Sequence, residues 1–149
     1  MDNNQPSIMD EFRVALWDLS DISAAIGAAR YTSAQAGFNE TEQFLIATAA
    51  SELATNIVRY AGQGEMTLRL LRSGERQGVE MEARDYGPGI ADVALAVQEH
   101  YSTGNSLGLG LPGVKRIMDE FSIESAPGRG TRCLARKWRG EECPGPTAT

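Results

Sequence analysis

Glu52 and Asn56 stand at i and i+4 in the run Ser51-Glu52-Leu53-Ala54-Thr55-Asn56-Ile57. If that run is helical, both lie on one face. A carboxylate and an amide oxygen presented together can act as a base and as a ligand for Mg²⁺, which favours oxygen donors and keeps waters and substrate phosphates in its shell. Taken alone, the pair is also what a solvated helix face commonly carries. Further on, Asp85-Tyr86-Gly87-Pro88-Gly89 puts a carboxylate at the mouth of a glycine turn, where it can accept hydrogen bonds from an amine such as that of adenine. Strands also end in Asp and Gly simply because those residues make turns. A second glycine cluster, Gly104, Gly108, Gly110 and Gly113, precedes a helix. Glycines there leave backbone N–H groups open to phosphate oxygens. Asp85 and the cluster together read as the two ends of a nucleotide site.

Competing chemistries fail on spacing. Gly108-Leu109-Gly110-Leu111-Pro112-Gly113 spells GxGxxG, but Tyr101 to Ser106 before it are polar and turn-like, so the strand a dinucleotide site needs is missing. No GxxxxGK[ST] occurs, which removes a P-loop. His100 is the one histidine, which nearly excludes His-based triads and multi-histidine metal sites; it reads as a surface residue. Cys133 and Cys143 form neither a CxxC metal pair nor a disulfide framework. A net charge of −6 speaks against nucleic acid or an anionic membrane as the main partner. No run reaches transmembrane length and MDNNQPSIMDEF lacks a charged region followed by an apolar one, so the cytosol is the expected compartment.

The elements that must position these residues follow from periodicity. With 149 residues, 42% hydrophobic and 23% charged, the chain fits one globular domain. Residues 1–10 are expected to be flexible, 11–139 to form the domain, and 140–149 a Gly/Pro-rich disordered tail. Arg13 to Trp17 suggests a first strand. A helix capped at Ser20 or Asp21 runs to about Ala36 with Ile22, Ala25, Ile26 and Ala29 inward, and Gly37 at its C-cap. Asn39 and Glu42 form a capping box for a second helix burying Phe44, Leu45, Ala49, Leu53, Ile57 and Val58 and stopping by Ala61-Gly62. Alternation at Met66, Leu68 and Leu70, and again at Val79, Met81 and Ala83, gives two strands joined by a polar connection from Ser73 to Gly78. A short helix spans Asp92 to His100. Pro112 suits the first turn of a helix carrying Val114, Ile117, Met118 and Phe121. Ser122–Ala126 and Thr131–Trp138 are strands around a Gly128-Arg129-Gly130 turn. Arg129, Arg132, Arg136, Lys137 and Arg139 read as a solvated face or a partner-binding one, and Trp17 and Trp138 as core or edge packing. Several hairpins and few crossovers predict an α+β two-layer sandwich, a mixed and mostly antiparallel sheet with helices on one face.

The combination in one order of Glu52-x-x-x-Asn56, Asp85-x-Gly87-x-Gly89, Gly108-x-Gly110 and Gly130-Thr131 resembles the Bergerat-fold ATP-binding family of gyrase-type ATPases, the Hsp90 chaperone, sensor histidine kinases and MutL. Within it, Ser51 to Ile57, Tyr60-Ala61-Gly62 and Gly110 to Phe121 are similar to the serine/threonine switch kinases of the bacterial stressosome and, less closely, to anti-sigma-factor kinases. The resemblance covers about residues 12–138. It implies ATP and Mg²⁺, with Glu52 as general base for an acceptor hydroxyl and Asn56 as magnesium ligand. Asp85 would hold the adenine amine, with Thr131 assisting. Gly87, Gly89, Gly104, Gly108, Leu109 and Gly110 would line the nucleotide, residues 91–107 would form a lid, and Lys115 is a candidate phosphate contact beside Arg116. Gln63 departs from the lysine of the similar kinases. The implied partners are STAS-domain scaffold or antagonist proteins as substrates and a PP2C-type phosphatase activated by the released kinase, with the protein itself a monomer or homodimer. The alternative is an ATP-dependent anti-sigma factor that sequesters a sigma subunit.

Overall fold

The computed structural model describes residues 5–87 and 110–140. The expected helix at 92–100, the lid at 91–107 and the tail beyond 140 lie outside the described residues, as do Gly89, Gly104, Gly108, Leu109, His100 and Cys143. Among the described residues, five strands and two long helices, with a shorter third, make two layers.

Strand β1 (Ser7–Leu16) begins well before the expected Arg13. Residues 7–10, anticipated as frayed, pair instead with β2 (Gly64–Ser73), Ser7 facing Arg72. Alternation with charged Asp10, Glu11 and Arg13 hid this half of the strand. β2 returns as β3 (Arg76–Asp85) through a turn tighter than expected, with Ser73 opposite Arg76 and Gly74 at φ 62°. β5 (Thr131–Trp138) lies beside β3, and β4 (Glu120–Ser125) takes the far edge. The order is β1-β2-β3-β5-β4, and every described pairing is antiparallel.

Helix α1 (Leu19–Gln35) is capped by Asp18, ahead of the expected Ser20 or Asp21. The Ser20 N–H donates to Asp18 at 3.0 Å, and the Asp18 N–H donates back to Asp21 at 3.1 Å. Helix α2 (Glu40–Asn56) has the expected Asn39–Glu42 box. Its buried stripe is Ile46, Ala49, Ala50, Leu53, Ala54 and Ile57, a run at i, i+3, i+4, i+7, i+8 and i+11. Phe44 and Leu45 fall off that stripe and stay exposed, contrary to expectation. Trp17 is likewise exposed, whereas Trp138 is half-buried at the edge and donates its indole N–H to Glu120 at 2.9 Å.

Alanines on the facing sides of α1 (Ala25, Ala29) and α2 (Ala49, Ala50, Ala54) let the helices pack closely, with Leu16, Met66, Leu68, Val79, Met81 and Ala135 of the sheet beneath them. Helix α3 (Gly110–Ile117) starts before Pro112 and ends before Phe121, which belongs to β4. The chain leaves the helix at Asp119, whose N–H donates to the Arg136 carbonyl at 2.8 Å and so joins the sheet.

The sheet face away from the helices carries a ladder of ion pairs. Arg69 reaches Glu11, Glu80 and Glu82 at 2.7, 2.7 and 2.8 Å. Arg132 holds Glu82 at 2.6 Å and Arg136 holds Glu80 at 2.8 Å. Lys137 donates to the Ile117 carbonyl at 3.0 Å, and Arg139 to that of Gly37 at 3.0 Å. Most of the basic stretch therefore ties elements together. Burial works against the charged Arg69, but its three carboxylate partners raise its pKa above the ordinary arginine value.

Candidate functional site

The site starts at the C-terminal half of α2. Glu52 faces inward and is 2% exposed, a rare state for a carboxylate unless something satisfies it. Its Oε1 accepts the N–H of Gly110 at 3.2 Å. Gly110 is the first residue of α3 and has φ 54°, a conformation that favours glycine. The carboxylate thus sits at the positive end of a helix. Asn56 closes α2 one turn further on, half-buried, with no side-chain cap bond to the next turn. Its amide is thereby left to other partners.

After Asn56 the helix widens into one π-helical turn, Ile57–Ala61, ended by Gly62 at φ 90°. Such widened turns recur at functional sites. Here the turn meets the loop that leaves β3. A Cβ on Gly87 would lie 2.6 Å from the Ala61 Cβ, so only glycine lets the loop approach this closely. A Cβ on Gly64 would lie 2.8 Å from Ile57, which holds the turn against the start of β2. These two glycines lock the helix end bearing Glu52 and Asn56 to the strand end bearing Asp85.

Asp85 Oδ1 accepts the Gly87 N–H at 2.9 Å, a local turn that fixes the carboxylate and engages one of its oxygens. Thr131 stands directly opposite Asp85 in the β3–β5 register, and Ser125 directly opposite Thr131 in β4–β5. The three form a row across adjacent strands. Ser125 Oγ lies 2.8 Å from Thr131 Oγ1 and donates to the Gly130 carbonyl at 3.0 Å. A cleft of about 370 Å³ opens here, lined by Asp85, Tyr86, Ser125 and Thr131 and by Arg84, Arg129 and Arg132. The buried thiol of Cys133 is pushed up to about 12 by burial and by the charge of Asp85, so it stays a neutral, inert neighbour.

Of the residues expected to act, Glu52 and Gly110 are in contact, Asp85 and Gly87 are bonded, and Thr131 is beside Asp85. Lys115 and Arg116, expected at a helix start, lie exposed in the last turn of α3. Lys115 is roughly 7.5 Å along the axis from Gly110, and the positive end of the helix lies behind it. Ser125 was not anticipated; the Gly128-Arg129-Gly130 turn that brings it across from Thr131 is the signal that could have found it. Among the described residues no group of three or more His, Cys, Asp or Glu could hold a metal.

The family model for the histidine kinase-like ATPase domain matches residues 17–137. The serine/threonine-protein kinase RsbT of Bacillus subtilis is 44% identical over 118 residues, spanning 79% of this chain and 89% of that protein. Anti-sigma F factors are more distant. That of a Thermoanaerobacter species is 32% identical over 103 residues (65% of this chain, 71% of the relative), and that of Halalkalibacterium halodurans 34% over 97 residues (62% and 66%).

Proposed function

The chain belongs to the histidine kinase-like ATPase family, and from that premise we propose that it is a protein serine/threonine kinase of a bacterial partner-switching module. It takes ATP with Mg²⁺ and moves the γ-phosphoryl group to a hydroxyl on a STAS-domain partner. The released kinase then engages a PP2C-type phosphatase.

The observation that carries this reading is the buried Glu52 carboxylate held at the N-terminus of α3. A buried base one turn from an amide ligand, at a helix end that favours anions, is what transfer from a nucleotide to a hydroxyl requires. Glu52 accepts the proton of the acceptor hydroxyl. Asn56 offers its amide oxygen to the metal, which when bound neutralises charge on the phosphates. Asp85, fixed by the Gly87 N–H, accepts from the adenine amine, and Thr131 assists beside it. Gly87, Gly89, Gly104, Gly108, Leu109 and Gly110 line the nucleotide; Lys115 contributes only if its side chain reaches back along α3. Catalysis is then positioning and charge stabilisation. Among the described residues no helix is long and apolar enough to cross a membrane, in keeping with work in the cytoplasm.

A second reading is favoured by the anti-sigma F factors among the relatives: a module that holds a sigma subunit, with ATP tuning the grip. Capture from the native host with and without ATP, followed by phosphosite mapping, separates the two. Recovery of a STAS protein phosphorylated on Ser or Thr supports the kinase, and recovery of an unmodified sigma subunit supports the sequestering module.

A further inference from the structure

We propose that the arginine-lined side of the cleft at the strand ends is a docking site for an acidic segment of a protein partner, one that carries carboxylates beside an apolar side chain. The site does not depend on which reaction the neighbouring residues run.

Side chains alternate across a sheet, so Arg84 and Arg132 face the open side while Asp85 and Thr131, their neighbours in sequence, face the helices. Arg84 and Arg132 stand directly opposite each other, and like charges so placed repel unless a counter-charge is shared. Glu82 is that carboxylate, but one of its oxygens takes Arg69 at 2.8 Å and the other Arg132 at 2.6 Å. Arg84 stands off at 3.8 Å with its side chain 43% exposed, and among the described residues it has no closer anionic partner. Arg129 is exposed in the β4–β5 turn, and its guanidinium makes no hydrogen bond or ion pair among the described residues. Gly128 and Gly130, at φ 79° and 78°, shape that turn. Gly130 packs on the Asp85 backbone where a Cβ would clash, which seats the turn against the end of β3. All three arginines line the one cleft of about 370 Å³, a volume in the range of sites that take a drug-sized molecule.

The chain as a whole carries a charge of −6, which repels an acidic partner at long range. Here three cations meet only the exposed Glu124 and a Glu82 that is already divided. A local reversal of sign of this kind steers a complementary partner to one place, and arginine clusters are a recurrent way of reading acidic segments. Tyr86 decides between a peptide and a bare ion. Its side chain lines the same cleft and is 66% exposed. A free anion gains nothing from that ring, whereas a peptide can lay an apolar side chain on it while its carboxylates meet the guanidinium groups. Nucleic acid could use arginine and tyrosine together, but its phosphates would face the negative charge of the rest of the chain.

The test selects random dodecapeptides displayed on phage against the full chain and measures the recovered peptides by fluorescence anisotropy. They should be enriched in Glu and Asp beside Leu, Phe or Tyr, and copies with Gln in place of Glu should bind about 10- to 100-fold more weakly. Arg84→Gln combined with Arg129→Gln should lose a similar factor at an unchanged melting temperature. Arg30→Gln, an exposed arginine on α1, should change nothing. Glu124→Gln, which removes the carboxylate competing with the peptide, should tighten binding about 2- to 5-fold. That gain reads the same charge without touching either arginine, should the double variant fold poorly. Recovered peptides without acidic enrichment, or bound equally well by the double variant, overturn the proposal. Tyr86→Ala with unchanged peptide affinity reduces the site to one for a bare anion, and an RNA oligonucleotide bound more tightly than any recovered peptide replaces the protein partner; either result overturns it too. ATP affinity of the wild type is measured alongside. Binding of acidic peptides without ATP removes the nucleotide reading and leaves the docking site; binding of ATP without selection of acidic peptides removes the docking site alone.

Discussion

The carboxylate of Glu52 accepts the backbone N–H of Gly110 across 58 positions of sequence, at 3.2 Å and almost fully out of solvent. A carboxylate in the C-terminal half of one helix is thereby fixed to the first residue of another, at the end where N–H groups and the helix dipole attract negative charge. In the proposed reaction that is where phosphate oxygens arrive. In that proposal, the contact between α2 and α3 ties the group that would accept the proton to the helix end that would meet the phosphates.

Asp85→Asn should weaken ATP binding about 10- to 150-fold, the worth of one charge-assisted hydrogen bond. The amide oxygen can still take the Gly87 N–H, so the turn should survive. What changes is the second position, where a donor replaces the acceptor proposed to meet the adenine amine. Calorimetry giving equal affinity for both proteins, with equal melting temperatures, would remove the adenine role.

Gly87→Ala tests the junction between strand end and helix end. The added methyl would stand 2.6 Å from the Ala61 Cβ and 2.7 Å from its Cα, so the loop or the π-helical turn must shift. A stability loss of about 1–3 kcal/mol in urea unfolding is expected, with ATP affinity reduced as well because Asp85 moves with the loop. Unchanged values of both would show that the two elements are not locked here.

The ladder on the open sheet face should make stability fall in acid. Burial pushes the Glu82 carboxyl up, but bonds from Arg132 and Arg69 outweigh it and hold its pKa below 4.5. A folded-state pKa below the unfolded one gives stability that is present above about pH 4.5 and lost as pH falls through the folded value. Arg69→Met leaves Glu80 and Glu82 without their shared cation and should cost about 3 kcal/mol at pH 7. The acid-dependent part of stability should shrink with it. Denaturant titrations between pH 3 and 7 read both effects, and parallel curves for the two proteins would deny the coupling.

Thr32 on α1 is 1% exposed, and among the described residues its hydroxyl finds no hydrogen-bond partner. Thr32→Val keeps the shape and removes the orphaned group, so it should stabilise the protein by about 1 kcal/mol. Tryptophan fluorescence during unfolding, from Trp17 and Trp138, can follow it. A loss of stability would mean that the hydroxyl is satisfied.

Periodicity and caps made most of the fold readable. The Asn39–Glu42 box, the alternation at Met66–Leu70 and Val79–Ala83, and the Gly128–Gly130 turn all stand where the residue types require. What was hidden depends on contacts distant in sequence. The first half of β1 alternates with charges, one of which, Glu11, finds its partner Arg69 on the next strand. Phe44 and Leu45 are apolar but off the stripe that faces the sheet, which alanines define. For the site, the i,i+4 spacing placed Glu52 and Asn56 together, and Asp85 appeared at its strand end. The junction at Gly87 and Ala61, the Glu52–Gly110 bond and the position of Ser125 come from tertiary packing, which no local pattern encodes. The placement of Lys115 was misjudged because α3 begins two residues before its proline.

The central claim is that this chain transfers phosphate with Glu52 as base. Its most direct measurement is single-turnover transfer from Mg-ATP to the captured STAS partner, with ATP affinity measured in parallel. Glu52→Gln should spare ATP binding and slow transfer by about 10²–10⁴-fold, whereas Asn56→Ala should damage Mg²⁺-dependent binding and transfer together. Transfer by Glu52→Gln as fast as by wild type would contradict the base assignment. Wild type that transfers nothing to any partner, while ATP still changes which partner it holds, would contradict the kinase itself.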